Sequence, residues 1–113
     1  MAPGALGDAS ANWRVKPASQ VAAVARKSDQ LDIFIVGKEG GVWTAAWDKS
    51  GGWNAWKKVA NGRAAPGSSI AAVSRAPTKL DIFIVGKDNG VWSAAWDRDV
   101  AGGDWQGWWP VPN

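Results

Sequence analysis

The sequence predicts an all-β chain made from two copies of one four-stranded antiparallel unit. Three observations carry that expectation. The octapeptide LDIFIVGK stands at residues 31–38 and again, unchanged, at residues 80–87. Around it, residues 21–48 fall on residues 70–97 without a gap, and 19 of the 28 positions are identical. Finally, the apolar runs are short, rich in β-branched residues and bounded by Gly, Asn, Asp or Ser, with no helical period anywhere. A repeat of 49 residues is the mark of stacked supersecondary units, as in solenoids and propellers.

Within each copy the elements follow in order. Val21–Arg26 reads as a strand of small apolar residues, Leu31–Gly37 as a strand of Leu, Ile, Phe and Val. Lys38-Glu39-Gly40-Gly41 and Lys87-Asp88-Asn89-Gly90 are hairpin turns, with Gly or Asn-Gly where a positive φ is needed. Val42–Asp48 is a third strand whose Trp43, Ala45 and Trp47 share one face. Ser50-Gly51-Gly52 turns the chain again, and Trp56–Val59 is a weaker fourth strand. The copies separate in register after Asp48 and Asp97, where the second carries three extra residues before its W-x-x-W pair. The expected organisation is therefore an N-terminal segment at 1–20, one unit at 21–69 and another at 70–113. Asn12-Trp13-Arg14-Val15 looks like a further copy of Trp108-Trp109-Pro110-Val111, so Trp13–Lys16 is an extra piece of outer strand.

A four-stranded meander of this kind is the blade of a β-propeller. The first strand is Ala-rich, as crowding around a central channel requires. The next is apolar on both faces, with Leu31, Ile33 and Ile35 on one and Phe34 and Val36 on the other. Such a sheet needs a neighbour on each side. Two blades leave an apolar face bare at either end, so the expectation is a ring completed by oligomerisation.

Composition narrows the chemistry. The 113 residues hold ten Trp, two Phe, fourteen Gly and six Pro, and no Tyr, Cys or His. No disulfide, thiolate nucleophile or Ser-His-Asp triad is available. The commonest metal ligand is missing, and no run resembles a Ca²⁺-binding loop. No metal, cofactor or catalytic residue is expected. The net charge of +3 comes from interspersed Lys, Arg, Asp and Glu, which reads as a solvated surface rather than a nucleic-acid footprint. The longest apolar run, Ile33–Val36, is too short to cross a bilayer, so membrane insertion is not expected. The start MAPGALGDAS lacks the pattern of a secretory signal. Synthesis in the cytoplasm is expected, with any route out of the cell left open.

The run LDIFIVGKDNGVWSAAWD followed by GDWQGWW resembles the repeat of the PLL-like bacterial β-propeller lectins, the group named for the Photorhabdus lectin. The resemblance covers nearly all of the chain after about residue 12. It implies a propeller fold and carbohydrate binding, with L-fucose or galactose-type glycans, O-methylated forms included, held at sites repeated around the ring. The family closes its ring within one chain, whereas two blades per chain imply six blades from three chains or eight from four, with the trimer favoured. The same resemblance leaves open a non-catalytic structural or protein-interaction module without a sugar ligand. A glycosidase is disfavoured, because the duplicated carboxylates do not form one asymmetric pair.

A sugar offers an apolar C–H face and a rim of hydroxyls, so its site wants an aromatic plane beside fixed donors and acceptors. On the rim where the first-to-second and third-to-fourth turns open, the first blade gathers Arg26, Asp32, Trp47, Asp48 and Trp53. The second gathers Arg75, Asp81, Trp96, Asp97 and Trp105. Arg donates, Asp accepts and Trp stacks. Plainer roles compete: Arg26 with Asp32 as a hairpin ion pair, Asp48 as a turn cap, and Trp43 and Trp92 as packing residues on the opposite rim. Trp56 and Trp108 on the outer strand divide between blade packing and site wall. Ten Trp beside two Phe exceed what packing requires, which assigns some of them to a ligand surface.

Overall fold

The computed structural model describes residues 20–65 and 68–112, and the expected strand piece at Trp13–Lys16 lies outside them. The described chain forms two antiparallel sheets. The first contains β1 (Val21–Lys27), β2 (Gln30–Val36), β3 (Gly41–Asp48), β4 (Gly52–Trp53) and β5 (Lys57–Arg63). The second contains β6 (Ile70–Ala76), β7 (Lys79–Val85), β8 (Val91–Asp97) and β9 (Trp105–Pro110), with a 3-10 turn at Ala101–Gly103. Consecutive strands pair in both sheets, except that β4 and β5 both pair with β3.

Register is the same in both sheets. Val24 pairs with Asp32 as Val73 pairs with Asp81, and Leu31 pairs with Trp47 as Leu80 pairs with Trp96. An irregularity follows Val24 in β1 and Val73 in β6, at the point where Arg26 and Arg75 leave the ladder. The β2–β3 and β7–β8 turns close with Gly37 N–H on the Gly41 carbonyl (2.7 Å) and Gly86 N–H on that of Gly90 (2.8 Å). Gly40 (φ +91°) and Asn89 (φ +66°) occupy the left-handed position these turns demand.

The outer strand of the first sheet departs from the expected single strand at Trp56–Val59. It is split: Gly52–Trp53 pairs with the end of β3, Trp56 lies between strands, and β5 runs on to Arg63. Asn54 is the physical reason. Its side-chain Oδ1 accepts the Ala46 N–H at 2.8 Å while its own N–H donates to the Ala46 carbonyl at 2.9 Å. A side chain thus replaces one backbone rung and interrupts the regular ladder.

The sheets stack face to face, with β1 beside β6 and β5 beside β9. Because side chains alternate along a strand, Phe34 and Val36 point from β2 to one side and Leu31 and Ile33 to the other. Phe34 and Val36 enter the core, where they meet Leu80, Ile82 and Ile84 of β7. The Phe34 ring stands edge-on to Trp105 at a centroid distance of 5.6 Å. The small Ala22 and Ala72 of β1 and β6 also pack on this core and let the two first strands approach closely. Ala64 bridges to Gly86, and Ala65 N–H donates to the Val85 carbonyl (3.1 Å), tying the outgoing chain to the second sheet.

The contact is head-to-tail. At the contact between the sheets LDIFIVGK uses its Phe34/Val36 side in the first and its Leu80/Ile82/Ile84 side in the second, while Ile35 on the far side of β2 is buried as well.

Candidate functional site

The stacking creates a cleft of about 280 Å³ on the rim of the β1–β2 and β3–β4 turns. The first sheet contributes Arg26, Asp32, Thr44 and Asn54, and the second contributes Leu80, Trp96 and Trp105. Val24 pairs with Asp32, so Arg26, two residues on, lies on the Asp32 face and its side chain folds back to the carboxylate. Arg26 Nε donates to Asp32 Oδ2 at 2.9 Å and Nη1 donates to the Pro77 carbonyl at 3.2 Å. The guanidinium carbon lies 4.7 Å from the centroid of the Trp96 ring. That ring is itself fixed, through Nε1–H donating to the Gly103 carbonyl at 2.8 Å. The 3-10 turn made by the three extra residues therefore has a role: it presents the carbonyl that orients Trp96.

Among the described residues these bonds engage Arg26 through Nε and Nη1 and Asp32 through Oδ2. Nη2 and Oδ1 remain as donor and acceptor beside an indole plane. A cation, a carboxylate and an aromatic face in one cleft suit a neutral, hydroxyl-rich ligand with an apolar patch. No group of three or more acidic, His or Cys side chains converges among the described residues as a metal ion would require.

The structure redistributes the two sets of residues expected from sequence. Arg26 and Asp32 face the second sheet, while Trp47 and Trp53 pair with each other on the opposite face of the first. Trp96 and Trp105, their counterparts, face the first sheet and complete the cleft. Arg75 and Asp81 lie on the outer face of the second sheet, joined through Nε–H to Oδ2. The counterpart pairs differ sharply in environment: the Arg26 and Asp32 side chains are 14% and 7% exposed, those of Arg75 and Asp81 58% and 19%. The Asp81 carboxylate raises the Arg75 pKa, chiefly through this hydrogen bond.

Trp47, Asp48 and Trp53 line a separate hollow of about 310 Å³ that also reaches Arg26 and Asn54. Asp48 caps its turn there. Its Oδ1 accepts from Gly51 N–H (2.7 Å), Ser50 Oγ (2.8 Å) and Ser50 N–H (2.9 Å), which holds its pKa below the ordinary 3.8. Asp97 Oδ1 accepts the Asp99 N–H at 2.9 Å, and its Oδ2 lies 3.6 Å from Lys79 Nζ.

The opposite rim holds a third hollow, of about 320 Å³, walled by Trp92 and Trp108 with Arg63 and Asp88. Trp92 Nε1 donates to Asp88 Oδ1 (3.1 Å), while the buried Trp108 Nε1 has no hydrogen-bond partner among the described residues. Gly62 and Gly86 make room for these rings, since a Cβ at either would run into Trp108 or Trp92. Sequence reasoning passed over Gly62, Asn54 and Thr44.

No protein-family model matches this chain, and no curated protein is similar to it in sequence. Solved structures are similar in fold. BP39L lectin from Burkholderia pseudomallei superposes with a TM-score of 0.74 at 24% identity, over 92% of this chain and 29% of that one. An arginine-to-alanine triple mutant of AofleA from Arthrobotrys oligospora superposes with a TM-score of 0.64 at 21% identity, over 88% of this chain and 28% of that one. The chain thus spans under a third of the length of the structures it matches. Its fold is that of two β-propeller blades.

Proposed function

We propose that this chain is a carbohydrate-binding module whose ligand lies in the cleft between the two sheets. The observation that carries the reading is the Arg26 guanidinium, paired with Asp32 and held over Trp96 with hydrogen-bonding capacity to spare. Trp105 extends the aromatic wall. The sugar's C–H face lies on indole, Nη2 donates to a ring hydroxyl and Oδ1 accepts from one. Resemblance to propeller lectins supports fucose or galactose-type ligands, O-methylated forms included. The role is binding without catalysis.

One monosaccharide in a shallow cleft binds weakly. Several clefts on a rigid homo-oligomeric ring gain on the order of 10²–10⁴ in avidity when a surface presents many glycans. A trimer of six blades is the favoured assembly, with a tetramer of eight as the alternative. Calorimetric titration with methyl α-L-fucoside and methyl galactosides, after a glycan-array screen, tests the reading. Saturable binding that is lost in Trp96→Ala supports it. No binding to any arrayed glycan by a correctly folded chain overturns it in favour of a structural or protein-interaction module.

A further inference from the structure

We infer that the cleft between the two sheets takes an anionic sugar, a pyranose bearing a sulfate ester or a carboxylate, and that Lys57 selects it. The inference deepens the carbohydrate reading and rests on it for the sugar ring. Asp32 and Phe34 lie two residues apart on β2 and point to the same side. Directly paired residues also share a face, so Phe34, Thr44 and Lys57 form one row across the first sheet: Phe34 pairs with Thr44, and Thr44 with Lys57. Phe34 enters the core between the sheets, which fixes the direction of that row, and Lys57 lines the cleft with Arg26 and Asp32. Two residues along a strand amount to about 7 Å, so Lys57 stands about that far along the cleft from the Arg26–Asp32 pair. A pyranose with one substituent spans such a distance.

The charges of the cleft do not balance. Arg26 and Asp32 cancel in their ion pair, which suits the neutral hydroxyls of a sugar ring. Lys57 is the remaining charged side chain in the lining, and among the described residues it has no ion-pair partner. The blade does not require a cation there. At the corresponding place in the second sheet Phe83 pairs with Ser93 and Ser93 with Trp109, so the copies keep Phe and a hydroxyl residue in this row and differ at its outer end. The adjacent Lys58 is not equivalent either. It pairs with Trp43 on the opposite face, and its Nζ lies 5.8 Å from the centroid of that ring. Beside the apolar walls of Leu80 and Trp105 a charge is screened less than in open water, so an oxyanion gains more from Lys57 than from a lysine on open surface. The ring keeps its place on Trp96, with Arg26 and Asp32 on its hydroxyls, and its oxyanion reaches the Lys57 ammonium. Sulfate ester and carboxylate offer the same chemistry, one negative charge on oxygens that accept.

Calorimetric titration of the full chain with two matched pairs of sugars reads the preference. One pair is methyl α-L-fucoside and its 3-sulfate; the other is methyl β-D-galactoside and methyl β-D-galacturonide. In at least one pair the anion is expected to bind about tenfold tighter than its neutral partner, as a hydrogen bond between charged groups allows. The pair that shows the gain identifies sulfate or carboxylate as the group selected. That ratio should fall towards about twofold when salt rises from about 50 mM to about 500 mM. Lys57→Gln is expected to bring the ratio near one, and Lys57→Arg to restore it. Lys58→Gln removes the same charge on the opposite face and is expected to keep the full ratio. Neutral sugars that bind as tightly as both anions overturn the inference and leave the carbohydrate reading standing. A ratio lost equally in Lys58→Gln also overturns it, since net charge rather than the cleft would then select. If none of the four sugars binds, the carbohydrate reading fails and this inference with it.

Discussion

Arg26 of the first sheet lies over the Trp96 ring of the second, 4.7 Å from its centroid. The contact joins a polar side chain of one blade to an aromatic ring of the other, and it makes the site a property of the pair of blades. Asp32 holds the guanidinium from one side and the Gly103 carbonyl holds the indole from the other.

Removing the indole separates binding from folding. A cation over an aromatic face contributes about 0.5–2 kcal/mol, and stacking against a ligand adds to that on binding. Trp96→Ala is therefore expected to weaken monosaccharide binding at least about tenfold, or about 1.4 kcal/mol. Far-UV circular dichroism should remain that of the parent, and Trp96→Phe should recover part of the affinity. Calorimetric titration of the parent and both variants checks the affinities, and unchanged affinity in Trp96→Ala would place the ligand elsewhere.

The repeated phenylalanine gives a second comparison. Phe34 is fully buried against Leu80, Ile82 and Trp105, so Phe34→Ala should cost about 3–5 kcal/mol of stability. Phe83→Ala should cost under about 1 kcal/mol when measured at a dilution that keeps the chain monomeric, where its ring is 37% exposed. Urea denaturation monitored by tryptophan fluorescence distinguishes them. Equal costs at that dilution would mean that the Phe83 face is covered from within the chain.

These comparisons mark what sequence could and could not reveal. The strands, the Gly40 and Asn89 turns and the two-faced apolarity of LDIFIVGK were legible, because alternation and turn chemistry are local. Two identical octapeptides cannot show which side each one turns towards the other sheet. That depends on the head-to-tail stacking of whole sheets. Grouping Arg26 with Trp47, and Arg75 with Trp96, followed chain order, whereas the fold sets Arg26 against Trp96. The split outer strand was hidden for a different reason: an Asn54 side chain in the ladder leaves no periodic trace.

The Asp88 turn should respond to acid. Asp88 Oδ1 accepts the Gly90 N–H (2.9 Å) and the Trp92 indole N–H (3.1 Å), and the pair holds its pKa below the ordinary 3.8, the Gly90 bond most strongly. A carboxyl whose folded pKa is depressed stabilises the fold fully above its unfolded pKa, and loses that contribution as pH falls through the folded value. Denaturation midpoints of the parent and Asp88→Asn should therefore differ at neutral pH and converge as pH falls below the ordinary 3.8 and through the lowered folded value. A difference that persists in acid would assign the effect to the side-chain amide rather than to charge.

Gly62 and Gly52 should resist alanine for separate reasons. A Cβ at Gly62 would overlap the Trp108 ring, so the ring or strand must move, at a cost of about 1–3 kcal/mol. At Gly52 nothing lies within 4 Å of a Cβ, but φ is +73°, and alanine there should cost about 1 kcal/mol through backbone strain. Shortening the ring tells them apart. In a double-mutant cycle, Trp108→Leu should relieve most of the Gly62→Ala penalty and none of that at Gly52.

The two Arg–Asp pairs provide the last comparison, since they share their spacing and an Nε–Oδ2 hydrogen bond but differ in exposure. Removing one member of a well-covered pair leaves the other charge poorly solvated, so Asp32→Ala should cost about 3 kcal/mol. The Arg75–Asp81 pair faces solvent in the isolated chain, where an ion pair contributes about 0–1 kcal/mol, and Asp81→Ala should cost no more than that in dilute solution. Where the proposed ring brings a second copy over Arg75, the cost of Asp81→Ala should rise towards that of Asp32→Ala and depend on protein concentration. Urea denaturation at two concentrations differing about a hundredfold measures this, with RT ln 100 near 2.7 kcal/mol setting the scale. A penalty at Asp81 that is small at both concentrations would mean that no copy docks over Arg75.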